Sequence, residues 1–149
     1  MTDANTPATR TPWHLWVVGV LSLLWNAMGA LDFTMTQMRS EAWLKAFTPA
    51  QLDYIHGFPL WVVISWGVAT WGSFIGSVLL LARQKLTVPV NLAVLVGIVP
   101  TFTYNHLLTD GVKIMGGGIG QVIFSAVIIV IGVLLFIYSR AMARRGVLR

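Results

Sequence analysis

Cysteine is absent from the chain, which excludes disulfides, a thiolate nucleophile, thiolate-bound metal and iron–sulfur ligation together. Charge is nearly as scarce. Asp, Glu, Lys and Arg make up 10% of the residues, against about 25% in an average soluble domain. Self-contained catalytic or nucleotide-binding signatures are also missing: Gly116-Gly117-Gly118 and Gly120 form a glycine-rich stretch, but the lysine and hydroxyl of a phosphate-binding loop do not follow it. What fills the chain instead is apolar. Hydrophobic residues account for 56% of the 149, and the mean hydropathy is +0.77.

The apolar residues fall in four long runs, Trp13–Phe33, Phe58–Ala82, Val88–Leu108 and Ile119–Ser139. A helix of roughly 20 apolar residues crosses the ~30 Å hydrocarbon core of a bilayer, and a helix keeps its own backbone hydrogen bonds satisfied there. The expected fold is therefore an all-α membrane protein, with four transmembrane helices in an antiparallel up-down bundle and a short helical cap on the outer side. The spans leave no room for a separate soluble domain. Residues 1–12, rich in Thr, Ala, Asn and Pro, read as a disordered cytoplasmic tail, and Arg140–Arg149 as a basic cytoplasmic tail anchored at lipid headgroups.

The net charge of +5 reports topology rather than nucleic-acid binding, because the basic residues lie beside the spans. With the N-terminus cytoplasmic, Arg10, Arg83, Lys85, Arg140, Arg144, Arg145 and Arg149 fall inside, and only Arg39, Lys45 and Lys113 fall outside. The positive-inside rule favours that orientation, so the expected location is a bacterial inner membrane with both termini cytoplasmic. A cleaved signal peptide ending near Ala27-Met28-Gly29 is the competing reading. Removing the first span would put the remaining termini on opposite sides, which argues for the uncleaved chain.

Between the first two spans, Ser40–His56 is the largest extramembrane element. Trp43 and Phe47 are four residues apart and share a helical face. Thr48-Pro49-Ala50-Gln51 has the form of a helix start, with Thr48 as cap, Pro49 at the first position and Gln51 reaching back. In the second span, Ser65, Ala69, Gly72 and Gly76 form a small-residue stripe, and Gly29 is its counterpart on the first. Such stripes let backbones approach where lipid supplies no hydrophobic driving force, here within the chain. Arg83 and Lys85 close a tight hairpin to the third span, where Pro100 removes a backbone hydrogen bond and should bend the helix. Asn91, Ile98, Thr101 and Asn105 share one stripe of that span, which should face protein. The fourth span, nearly unbroken Val, Ile and Leu, reads as support.

The chemistry-bearing residues gather at the outer ends of the spans. Asp32, seven residues after Trp25, lies about 20° from it around the helix, with Asn26 and Gly29 on the same flank. A carboxylate is costly near the bilayer centre but less so toward the edge. Asp32 lies roughly eight residues, or about 12 Å, from the middle of its span, and is expected to reach interfacial water. It is either a ligand-contacting or proton-carrying residue or an end-of-helix Asp bonded to Asn, Thr or Arg39. His56 begins the second span, and Tyr104, Asn105, His106 and Asp110 close the third. The candidate ligand-binding set is thus Asn26, Asp32, His56, Tyr104, Asn105, His106 and Asp110, around an outward-facing polar pocket beneath the cap. A metal or bis-histidine haem through His56 and His106 is the rival use of the same imidazoles; no metal or cofactor is expected, and no catalytic residue.

Trp25-Asn26-Ala27-Met28-Gly29-Ala30-Leu31-Asp32-Phe33-Thr34-Met35-Thr36, Phe47-Thr48-Pro49-Ala50-Gln51-Leu52 and Gly57-Phe58-Pro59-Leu60-Trp61-Val62-Val63 resemble a family of small proteobacterial inner-membrane proteins. Trp71-Gly72-Ser73, Gly76-Ser77, Leu79-Leu80-Leu81 and the closing Ala141-Met142-Ala143-Arg144-Arg145-Gly146-Val147-Leu148 also look like that family, so the likeness extends over nearly the whole chain. Its members are commonly labelled hypothetical or "sugar transporter", and the resemblance implies a four-helix membrane protein. Three functions remain open: a small-solute or lipid-handling carrier, an accessory or scaffold subunit of a larger membrane complex, and a membrane enzyme. The enzyme is disfavoured, since His106 and Asp110 offer a base and its orienter without a nucleophile or metal. The expected partners are the lipid bilayer, a small solute or lipid, and a second copy or another membrane protein. Nucleic acid is not among them.

Overall fold

Seven α-helices and one π-helical turn make up the computed structural model, which describes residues 10–149 and contains no strand among them. Most of the tail expected at 1–12 lies outside the described residues. The helices are α1 (Trp13–Gln37), α2 (Glu41–Leu44), α3 (Pro49–His56), α4 (Leu60–Leu81), α5 (Thr87–Thr103), α6 (Gly111–Ile114) and α7 (Ile119–Arg144), with the π turn at Tyr104–Leu108. Four helical segments, Trp13–Gln37, Leu60–Leu81, Thr87–Leu108 and Ile119–Arg144, are long and apolar enough to cross a membrane. The shorter two have 22 residues, or about 33 Å at 1.5 Å per residue. Their apolar side chains are mostly uncovered: Leu21 and Leu24 are 62% exposed, Val96 64% and Leu134 58%. Such surfaces are tolerated where lipid, not water, is the solvent.

The first and last spans run beyond their apolar sequences, α1 by four residues and α7 by five. Nothing in Thr34–Gln37 or Arg140–Arg144 breaks a helix, so the backbone ladder continues until a left-handed residue stops it. Arg39 (φ 54°), Arg83 (φ 56°) and Gly146 (φ 71°) play that part for α1, α4 and α7. In each case the next amide returns to a carbonyl five residues earlier: Ser40 to Met35 at 3.0 Å, Gln84 to Leu79 at 2.9 Å and Val147 to Met142 at 3.0 Å. This 6→1 bond is the Schellman closure. The α3 start has the expected capping box: Thr48 Oγ1 accepts from Gln51 N at 3.3 Å, and Gln51 Oε1 accepts from Thr48 N at 2.9 Å. Pro100 remains inside α5, and the π turn follows it directly.

Packing follows the small residues. A Cβ on Gly19 of α1 would strike Leu81 of α4, and one on Gly67 would lie 3.0 Å from Phe33. Between these levels, Asn26 Nδ2 donates to Ser77 Oγ (2.8 Å) and Ser73 O (3.2 Å). On the other side of α4, a Cβ on Gly72 would come within 2.9 Å of Val94, and one on Gly76 would strike Asn91 Oδ1. A Cβ on Gly97 of α5 would meet Ser65 O at 3.0 Å and Ala69 N at 3.3 Å. Thus Ser65, Ala69, Gly72 and Gly76 lie against α5 of the same chain, and Gly29 faces Thr70 of α4 at ordinary contact distance. Asn91 carries the contact on to α7, donating from Nδ2 to Ser139 Oγ (3.3 Å) and Leu135 O (3.4 Å).

The end of the chain is tucked in. After the turn at Gly146, Val147 and Leu148 are 5% and 1% exposed, and they join Leu15, Leu80 and Met142 in the tightest core cluster. Arg149 N donates to Arg83 O at 2.6 Å, and Lys85 N donates to Arg149 O at 2.9 Å. Arg140, Arg144, Arg145 and Arg149 stay exposed. The segment read from sequence as a basic tail therefore carries an apolar plug that pins the α4–α5 hairpin.

A candidate ligand-binding cavity

A cavity of about 690 Å³ lies among α1, α4, α5 and α7, on the side of α2 and α3. That volume falls within the range of small-molecule sites. Its walls are largely apolar and aromatic, with Trp25 and Met28 from α1, Trp66 from α4, Ile98 and Phe102 from α5, and Phe124 and Ile128 from α7; Trp43, Phe47, Ile55 and Phe58 border it from the α2–α3 segment. A second depression, on α4 and α5 around Ile64, Val68, Trp71 and Ile75, is shallow and almost without polar atoms. It offers a ligand nothing to orient it.

Polar atoms enter the larger cavity one at a time. Asp32 comes from the last turns of α1, and its Oδ1 accepts from the Trp43 indole Nε1 at 2.9 Å. This bond ties α2 to α1 and, among the described residues, leaves the second carboxylate oxygen without a donor. Asn26 spends its amide hydrogens on Ser73 and Ser77, so its Oδ1 is an unused acceptor. Asn105 is held locally, donating one amide hydrogen to Thr101 O at 2.8 Å and accepting from the Tyr54 hydroxyl at 3.0 Å. His106 stacks on Phe102, with ring centroids 4.0 Å apart and an 11° interplanar angle. Its Nδ1 lies 3.1 Å from Phe102 O. A carbonyl only accepts, so Nδ1 carries the hydrogen. On a neutral ring Nε2 is then a bare acceptor, buried and without a partner.

Of the seven candidate residues, Asn26, Asp32, Asn105 and His106 line this cavity, and His56, Tyr104 and Asp110 do not. Tyr104 belongs to an aromatic cluster beside it: Phe58 and Trp61 approach edge-on at 5.4 and 5.7 Å, and Tyr54 stacks at 6.3 Å. Asp110 is largely exposed and pairs with Lys113 at 3.1 Å. His56 is half-buried with its own Nε2 unpartnered. Among the described residues, no three His, Asp or Glu side chains converge as a metal site would require.

Several lining residues escape sequence inspection. Gln121, Ser125 and Gly132 bring α7 into the cavity wall, although that helix reads as support. Thr36 and Trp43 enter because α1 runs on to Gln37 and α2 folds back over it. Trp43 at an i+11 spacing from Asp32 gives no periodic signal across a chain reversal. Beside the cavity, the Tyr54 hydroxyl lies 2.6 Å from Thr109 Oγ1. Burial pushes its pKa above the ordinary phenol value, the Thr109 hydrogen bond opposes that, and Tyr104 adds to the rise.

Helices α1 and α7 flank the cavity without packing closely on each other. They are tied by His14 Nδ1 and the Tyr138 hydroxyl at 2.6 Å, and nearer the cavity by Trp25 and Phe124, whose ring centroids are 6.3 Å apart. Trp25 and Phe124 both line the cavity and are 42% and 51% exposed. No protein-family model, curated protein or solved structure matches the chain.

Proposed function

We propose that the chain is a multi-pass protein of a bacterial inner membrane that binds a small amphipathic molecule, as a carrier or handling protein for a small solute or lipid. In this reading both termini are cytoplasmic, following the basic residues. The order of contacts, Gly19 with Leu81 and Phe33 with Gly67, supports an antiparallel up-down bundle. The segment from α2 to α3 is its outer cap. The observation that carries the function is the combination within one cavity of aromatic walls and acceptors to which no described residue donates: an Asp32 oxygen and Asn26 Oδ1.

An apolar molecule alone would leave those acceptors unpaired, and a fully polar solute would waste the aromatic walls. An amphipathic ligand with a donor-bearing head satisfies both. Native mass spectrometry of the protein purified in mild detergent tests this. A reproducible small-molecule adduct on the wild type, lost in Asp32→Asn, is the expected result. A bare chain, or one carrying only another protein, overturns it in favour of an accessory subunit.

A further inference from the structure

We infer that the ligand is a lipophilic organic cation, with Asp32 as its counter-charge; this inference rests on the cavity being a binding site, as proposed above. Asp32 is the only Asp, Glu, Lys or Arg among the residues lining the cavity. The basic residues in the surrounding segments do not reach it: Arg39 and Lys45 are exposed, and Lys113 is engaged with Asp110 at 3.1 Å. Among the described residues the carboxylate receives one hydrogen bond, from neutral Trp43, and the one ion pair is that of Asp110 with Lys113, so no basic side chain answers Asp32 there.

Asn26 Oδ1 adds a lone pair to the cavity, which repels an anion and attracts an N–H or a polarised C–H. The walls present aromatic rings, and Trp25, Trp43 and Trp66 are the strongest side-chain partners for a cation held over a ring face. A neutral alcohol would satisfy Asn26 Oδ1 but leave Asp32 unbalanced. A lipid phosphate would add a second negative charge. A bulky ammonium or phosphonium with apolar substituents answers the carboxylate, the acceptor and the rings together.

Tetraphenylphosphonium and tetraphenylborate have nearly the same shape and opposite charge, so comparing them isolates the sign. Binding to the purified full chain in neutral detergent is read by equilibrium dialysis, with quenching of the cavity tryptophans as a second signal. The expected result is saturable binding of the phosphonium, weakened at least tenfold in Asp32→Asn and retained in Asp32→Glu, with no saturable binding of the borate. The comparison of the two ions on wild-type protein stands even if Asp32→Asn misfolds. Saturable binding of both ions with equal affinity would overturn the cation inference while leaving the cavity as a binding site. Phosphonium binding unchanged in a folded Asp32→Asn, or binding of neither ion, would also overturn it; a co-purified neutral or anionic adduct would then identify the cavity's true ligand class.

Discussion

Replacing Gly76 with alanine should disturb three helices at once, and the disturbance should vanish when Asn91 is shortened. A Cβ at Gly76 strikes Asn91 Oδ1, while the same amide holds α7 through Ser139 and Leu135. Overfilling a packed site costs about 1–3 kcal/mol, and alanine recovers roughly 0.8–1.0 kcal/mol of helix propensity over glycine. Gly76→Ala alone should thus destabilise by up to about 2 kcal/mol if the amide is forced aside. Asn91→Ala loses two long interhelical bonds, worth about 0.6 kcal/mol each in membrane proteins. Simple addition gives roughly 1–3 kcal/mol for the pair. With Oδ1 gone, however, the clash disappears and the propensity gain remains, so the double variant should sit within about 0.5 kcal/mol of the wild type. The coupling is then about 2 kcal/mol, inside the range seen for residues in contact. Reversible unfolding in mixed detergent micelles, followed by circular dichroism, measures all four corners. A double variant that loses the sum of the two singles would refute the proposed contact.

Two other expectations follow from the geometry. Leu148→Ala empties a site that is 1% exposed and should cost about 2–5 kcal/mol; by loosening the Arg149 bonds it should also speed hydrogen exchange at the Lys85 amide well above that of the α4 interior. Tyr54 is a raised phenol, so the folded state holds its proton longer than the unfolded state does. Its contribution to stability is complete below the ordinary value near 10 and is lost as pH rises through the folded value. Ultraviolet difference titration of the wild type against Tyr54→Phe should show the variant losing one late-ionising phenol together with its share of the fall in stability.

The four membrane helices were legible because lipid imposes a length and a composition that no other role demands. The capping box at Thr48 and Gln51 was equally plain, since four consecutive residues contain the whole hydrogen-bond scheme. The helix ends were less so. Apolar runs stop at the hydrocarbon edge, but hydrogen-bond ladders stop only where the backbone turns left-handed, and Arg39 and Arg83 occupy such positions with no glycine to mark them. Val147 and Leu148 were hidden by arginines around them, because four basic residues in Arg140–Arg149 read as a surface segment even when two neighbours are buried. In the site, Asp32 and His106 could be singled out by their cost in an apolar span. Gln121 and Ser125 could not, since a polar residue in an otherwise uniform helix does not declare which neighbour it faces.

The absence of cysteine allows the most direct test of the cavity, because any thiol introduced is the only one present. Ser125→Cys places it in the cavity wall, and Val133→Cys places it on the same helix outside that wall. Labelling by a cationic methanethiosulfonate is followed with and without tetraphenylphosphonium. The account predicts that the phosphonium protects Ser125→Cys and leaves Val133→Cys unaffected. Equal labelling of Ser125→Cys in the presence and absence of the phosphonium would contradict it.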